Sequence, residues 1–482
     1  MPAQMIRKHI TEQTAIFISV AKWVVLSSVI GIVIGAVVTF FLKILIIAET
    51  DRAQLPFPYY YLLPVALFLT VFLIRTFAPN AEGHGTEKVI EAVHRKHGKI
   101  DVAVIPVKLL ATVLTLFAGG SVGKEGPGAQ IGAGSASLLS DLLRFSKEDR
   151  KKLVICGISA GFASVFGTPI AGAIFGVEVL IIGVILYDVL LPSFIAGFAA
   201  FTTAQFLGIE YTYFDVHFFQ SVTLDLPLIA KVVVAGIFFG LISDLIVTAM
   251  NVTHRLIAKI PLHPYLVALA GGAVLVGLTL VVGERYLGLG LDTIKEVLTP
   301  HPYIPVDVPW YAFLLKTLFT SVTLGVGGSG GIITPLFYIG ATSGMTFGHL
   351  MGDSHLTLFA ALGFVSVLAG ATNAPIAATI MAVELFGLEI AHYAAISAVI
   401  SFLITGHRSV FPSQILAMKK SEMLEVKVGE VIEKADVDLE ESEMGRINDI
   451  KERLRRRREE LKAKRKRKND KRTKEKPFRK NG

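Results

Sequence analysis

Hydrophobic residues in this chain come in long unbroken runs, not in the narrow stripes of an amphipathic surface helix or the alternation of a half-buried strand. Trp23 to Leu42, Val189 to Ile209, Leu262 to Gly283, Thr317 to Gly352, Ser354 to Val383 and Ile390 to His407 contain no Asp, Glu, Lys or Arg. A bilayer crossing needs about 20 helical residues, and these runs meet or approach that length. Tyr59 to Ile74 and Val154 to Val177 add further candidates. The pattern predicts an all-α polytopic membrane protein, because helices satisfy their own backbone where water is absent. The first run is too long for a signal peptide and lacks a small-residue cleavage site, so it is expected to stay as the first helix.

Glycine and proline interrupt these runs at related places. Gly119-Gly120-Ser121-Val122-Gly123-Lys124-Glu125-Gly126-Pro127 continues into Gly128-Ala129-Gln130-Ile131-Gly132, and about 200 residues later Gly327-Gly328-Ser329-Gly330-Gly331-Ile332-Ile333-Thr334-Pro335 repeats the pattern. At a constant offset, eight of the fifteen positions from 119 to 133 and from 327 to 341 are identical. Thr168-Pro169-Ile170-Ala171 through Glu178 likewise resembles Ala374-Pro375-Ile376-Ala377 through Glu384, and Lys108 matches Lys316. Three blocks in the same order divide the chain into related halves, about 15–210 and 228–411, joined by a loop around 210–225. Repeats of this sort place ligand sites between the halves, at interrupted helices whose N-termini point inward.

Each glycine pair ends a helix, and Pro127 or Pro335 then falls in the first turn of the next, where a missing N–H costs little. The break leaves helix-start N–H donors inside the membrane. Together with the helix dipole they form an anion site without a cationic side chain. The apolar segments hold almost no arginine, which argues for a small permeating anion over phosphate. Glu125 lies in one copy only, Ile333 standing opposite it. Gly83-His84-Gly85-Thr86-Glu87, ahead of a short amphipathic segment, is a third candidate helix start, with a surface turn as its alternative.

Composition sharpens this picture. Hydrophobic residues make up 52% and charged residues 18%, and mean hydropathy is +0.60, far from soluble proteins. The net charge of +8 is misleading as a guide to partners. From Lys451 onward there are 18 Lys and Arg against 5 Asp and Glu, residues 419–450 carry 5 against 10, and residues 1–418 carry no net charge. The basic tail fits a cytoplasmic, lipid-touching segment under the positive-inside rule, helical around 440–466 and disordered beyond. No aromatic interleaving supports a nucleic-acid partner. The lone Cys156 allows no intramolecular disulfide and reads as a small packing residue. No zinc-ligand spacing, phosphate-binding loop or nucleophile motif appears, so neither a metal, a cofactor nor an enzyme is expected.

Gly123-Lys124-Glu125-Gly126-Pro127 resembles the G-K/R-E-G-P motif of the CLC family of chloride channels and chloride/proton antiporters. Gly331-Ile332-Ile333-Thr334-Pro335 resembles its G-x-F-x-P motif with Ile for Phe, and Gly83-His84-Gly85 stands where the family has G-S-G-I-P. The resemblance covers about 15–418. It implies an inverted-repeat fold of tilted, discontinuous helices over residues 1–418, a homodimer with one pathway per subunit, and a charged tail over 419–482 without paired CBS domains, although 424–432 resembles the start of one. It further implies that Glu125 is the gate, and that backbone donors at Lys124 to Gly126 and at Ile332, Ile333 and Thr334 line the anion pathway with Gly83, His84, Gly85 and Phe411. By the same resemblance Lys108 is expected to supply positive potential nearby.

Three positions depart from that family. His84 replaces a serine hydroxyl, Phe411 stands where a tyrosine usually donates its hydroxyl, and Val179 occupies the place of an internal proton-transfer glutamate. Valine cannot relay a proton, so the reading leans toward a passive chloride channel, with bromide or nitrate as further substrates. The alternative is a chloride/proton antiporter using Glu125 as shared gate and proton acceptor. From another class, a non-conducting sensor that keeps the fold accounts for the altered His84 and Phe411. The Gly-Lys-Glu-Gly-Pro segment ranks a fluoride-selective exchanger below the chloride branch. Glu178 and Glu384 read as structural acids, and the cell membrane is the expected location.

Overall fold

The computed structural model describes residues 2–211, 213–214, 226–299, 306–353, 355–435 and 438–439. Most of the 210–225 loop and the tail beyond 439, including the helix expected around 440–466, lie outside the described residues. Among the described residues, eight helices precede the loop: α1 (Pro2–Arg52), α2 (Leu63–Phe77), α3 (Thr86–Arg95), α4 (Val104–Phe117), α5 (Glu125–Leu142), α6 (Lys147–Phe166), α7 (Pro169–Glu178) and α8 (Tyr187–Phe206). Eight follow it: α9 (Leu226–Ala258), α10 (Pro264–Val282), α11 (Leu291–Leu298), α12 (Ala312–Gly325), α13 (Ile333–Leu350), α14 (Leu356–Thr372), α15 (Pro375–Phe386) and α16 (Ala391–Ile404). Among the described residues, five helices are long and apolar enough to cross a membrane. The all-α polytopic class is thus the observed one.

Hydropathy by itself does not place two kinds of boundary. The run from Thr317 to Gly352 is not one crossing but α12 and α13, parted where Gly327 turns to φ +98°. Gly167 (φ +74°) and Asn373 (φ +58°) end α6 and α14 in the same left-handed way, and a proline opens the next helix each time. Conversely, α1 extends 51 residues, well past the apolar stretch from 23 to 42, because no proline or glycine pair stops it among its polar ends.

A pseudo-twofold relation binds the halves through reciprocal contacts. Gly123 N–H donates to Gly331 O and Gly331 N–H to Gly123 O, both at 2.6 Å. Ser121 N–H donates to Thr323 Oγ1 (3.3 Å), and its counterpart Ser329 N–H to Thr115 Oγ1 (3.1 Å). The two elbows therefore touch at the centre of the molecule. Lower down the pairing recurs between α7 and α15. Glu178, at the end of α7, accepts from Ile376 and Ala377 N–H (3.0 and 2.8 Å), while Glu384 on α15 accepts from Ile170 and Ala171 N–H (3.0 and 2.7 Å). Each carboxylate caps the other helix's orphan donors and opposes its dipole.

These acids hold the halves together, so Glu178→Ala is expected to lower the thermal midpoint in detergent. Hydrogen bonds to a charged group contribute about 1.5–3 kcal/mol each, and two are lost. Glu178 is 7% exposed whereas Glu384 is half-buried, so Glu384→Ala is expected to cost less. Equal midpoints for both variants and the parent would show that the acids do not staple the halves.

The C-terminal ends of α9 and α16 lie on one side. Residues 236 and 240 of α9 pack against 397–404 of α16 in rising order, so the two helices run parallel and the C-terminal end of α9 shares a face with the start of the tail. After α16 the chain forms β2 (Ile415–Leu416), which pairs in parallel with β1 (Ile181–Ile182). Residues 424–432, the stretch resembling a CBS start, and the following Glu433 fold back on it: Ile432 N–H donates to Gln414 O and Glu433 N–H to Pro412 O.

Candidate anion pathway

Helix starts α3, α5 and α13 converge because their glycines permit backbone contact. A Cβ on Gly126 would lie 1.9 Å from His84 O and 3.0 Å from Gly331 Cα, and one on Gly85 would lie 2.5 Å from Gly126 O. No side chain separates these three turns. Gly85 also takes φ +85°, which only glycine adopts without strain.

The Glu125 carboxylate sits at the centre of this junction and is 1% exposed. It reaches across to the other half: Oε2 accepts from Thr334 N–H at 3.1 Å, and Oε1 accepts from the Thr334 hydroxyl. The carboxylate thus occupies the first turn of α13, where a free anion would find donors and the positive end of a dipole. Ile332 and Ile333, buried just before, complete that turn. Lys124 precedes α5 and is half-buried. The hydroxyl of Thr334 is a ligand that attention to backbone direction alone had passed over. Its signal was present, since a threonine in a first turn is an ordinary partner for a capping group.

The rings of His84 and Phe411 meet, with centroids 5.7 Å apart. Phe411 is fully buried. Its loop is pinned to α3, for Ser413 N–H (3.0 Å) and the Ser413 hydroxyl both donate to Glu87 Oε1. Neither residue carries a hydroxyl, so the donors this stretch offers are N–H groups and the imidazole.

Lys108 does not reach the carboxylate. Its buried ammonium donates to Ala81 O (3.1 Å) and Gly83 O (2.5 Å), fixing the elbow that presents His84. Lys316 repeats the arrangement on Tyr286 O (3.2 Å) and Gly288 O (2.8 Å). An isolated buried ammonium is costly, and the carbonyls compensate it. The partner of Lys316 reveals a further element of the duplication: Gly288-Leu289-Gly290 before α11 copies Gly83-His84-Gly85 before α3. The shared Gly-x-Gly and the acids at 87 and 292 were visible in the sequence, but the intervening residues had diverged. Val179 is buried, and its carbonyl accepts from Gln414 Nε2 at 2.7 Å.

With this geometry in view, similarity to known proteins is specific. The voltage gated chloride channel family model matches residues 65–406. The chain is 37% identical to the chloride/fluoride channel protein of Pseudomonas syringae pv. tomato, over 86% of this chain and 91% of that one. It is 31% identical to the voltage-gated ClC-type chloride channel ClcB of Shigella flexneri, over 63% and 72%. Among solved structures it resembles a CLC-type fluoride/proton antiporter, with TM-score 0.77, 32% identity and coverage of 82% of this chain and 98% of the other. A slow cyanobacterial chloride/proton antiporter shares the fold at TM-score 0.69 and 18% identity, over 80% of this chain and 94% of the other. Converging helix starts, a duplicated elbow and a family match across most of the chain lead to one assignment: this is an integral membrane protein of the CLC family, with the fold of its anion transporters.

Proposed function

We propose that the chain exchanges fluoride or chloride for protons across a membrane, with Glu125 as both gate and proton acceptor. The observation that carries this reading is the Glu125 carboxylate seated on Thr334. An anion and a carboxylate competing for one set of donors are mutually exclusive, and protonation removes the competitor. Val179 favours a passive channel only if protons need an acid at that position; a carboxylate already in the pathway can collect them by another route. A solved relative named a fluoride/proton antiporter supports exchange, and that name together with a relative named a chloride/fluoride channel protein raises fluoride above the rank its motif suggested. Fluoride sheds its water at greater cost than chloride, so it needs close N–H donors more than wide cavities.

The same proposal takes the protein as a transporter without enzymatic chemistry, acting as a homodimer in the cell membrane with its basic tail cytoplasmic. Purified protein in lipid vesicles, given a tenfold outward fluoride or chloride gradient, is expected to drive protons inward against their own gradient. Full anion flux with no proton movement would instead establish a passive channel, and no flux of any ion would leave a sensor.

A further inference from the structure

Two buried polar atoms at one helix start have no hydrogen-bond partner among the described residues: Nδ1 of His84 and Oε2 of Glu87. Such atoms are rare in folded proteins because each forfeits its hydration, and they often mark function. The other Glu87 oxygen is occupied by Ser413, which aims the carboxylate at the loop bearing Phe411. His84 opens the same helix start three residues ahead of this acid. Its ring faces Phe411, and its carbonyl lies against Gly126, the residue after Glu125. From Gly85 the helix leads away toward the side where α16 ends, and there His94 Nε2 lies 2.9 Å from Leu180 O beside the β1–β2 pair. Glu87 is half-buried, so it stands between that side and the sealed centre.

We propose that Glu87 and His84 relay protons between tail-side water and Glu125, in place of an acid at position 179. This rests on the proton-coupled reading above. The Glu87 carboxylate takes a proton from water, forming its O–H. It then passes that proton, directly or through water, to the lone pair of His84 Nδ1. The resulting imidazolium releases the proton on Nε2 to the Glu125 carboxylate once Glu125 has left Thr334. The ring ends neutral in its other tautomer, and a ring flip or the reverse passage resets it. No oxidant, reductant or leaving group is involved, and charge balances at every transfer.

Charged groups surround the relay from several elements. Lys88 and Glu91, paired at 3.3 Å, lie on α3 itself. Glu82 precedes the elbow, and Lys108 of α4 holds the carbonyl of Gly83. Lys151 of α6 stands near His94, and Glu125 closes the inner end. The cations at 88 and 108 favour onward release from the imidazolium, which a relay requires.

The test is proton and anion flux measured together in lipid vesicles at several pH values. Glu87→Gln keeps an acceptor for Ser413 but cannot carry a proton. Proton flux is expected to fall at least roughly tenfold, at the low end of what positioned acids and bases contribute, while anion flux falls no more than a few fold and the proton-to-anion ratio drops. Ser413→Ala removes the tether and keeps the carboxylate, so its ratio should stay near that of the parent. His84→Gln supplies a second variant should Glu87→Gln not fold, and it too should lower the ratio. A parent that couples protons alongside Glu87→Gln or His84→Gln at an unchanged ratio overturns the relay. A parent that moves no protons overturns the exchange reading instead.

Discussion

Glu125→Gln is expected to abolish proton movement while anion movement continues. Glutamine retains an oxygen for the Thr334 N–H, but its amide opposes no anion by charge and takes up no proton at working pH. The loss in proton flux is expected to be roughly a hundredfold or more, within the range of a lost acid–base group. Anion flux should lose its dependence on pH, because the side chain that competes for the first turn of α13 is then neutral. Thr334→Val supplies the converse: the carboxylate loses its hydroxyl donor and is held by one N–H alone. Paired measurements with a fluoride or chloride electrode and a pH electrode decide the matter. Coupled uphill protons persisting in Glu125→Gln would remove Glu125 from the mechanism.

The second large effect is steric. Gly126→Ala would place a methyl carbon 1.9 Å from His84 O and 3.0 Å from Gly331 Cα, all backbone neighbours that cannot rotate aside. Overpacking of a well-filled interior typically costs about 1–3 kcal/mol and occasionally more, and here relief requires parting α3 from α5. The expected result is a transport rate reduced roughly tenfold or more, following from a displacement at a site that depends on fit, together with a lower thermal midpoint. Gly128→Ala is the instructive comparison. Its added methyl would meet Val165 Cγ2 at 2.5 Å, the end of a side chain on α6, so a shift of that valine can absorb part of the clash. A Gly126→Ala protein that transports and melts like the parent would mean that the three helix starts do not meet as closely as described.

Much of the architecture was legible because it is written in local terms. Long uncharged runs demand helices in lipid, and glycine pairs followed by proline demand breaks. The duplication could be read at the elbows and at Lys108 and Lys316, where sequence similarity survived. It was harder to see at Gly288-Leu289-Gly290, where only the glycine spacing and an acid persist. Hydropathy also merged α12 with α13 and α14 with α15, since half-helices buried within the protein are as apolar as full crossings. Glu178 and Glu384 were recognisable as acids that must be satisfied, yet their mutual arrangement was not, because each partner lies about 200 residues away.

Membrane character, helical class, the two breaks bearing Glu125 and Thr334, and the charge of the tail follow from residue chemistry near each position along the chain. Those properties depend on hydropathy, backbone freedom and net charge, which neighbours in sequence set. Folding in three dimensions settled which donors the carboxylate takes, that Lys108 grips an elbow and not the anion seat, and that Glu87 is tied to the Phe411 loop. Each of those contacts joins residues distant along the chain, so each depends on how the two halves pack around the line between Gly123 and Gly331.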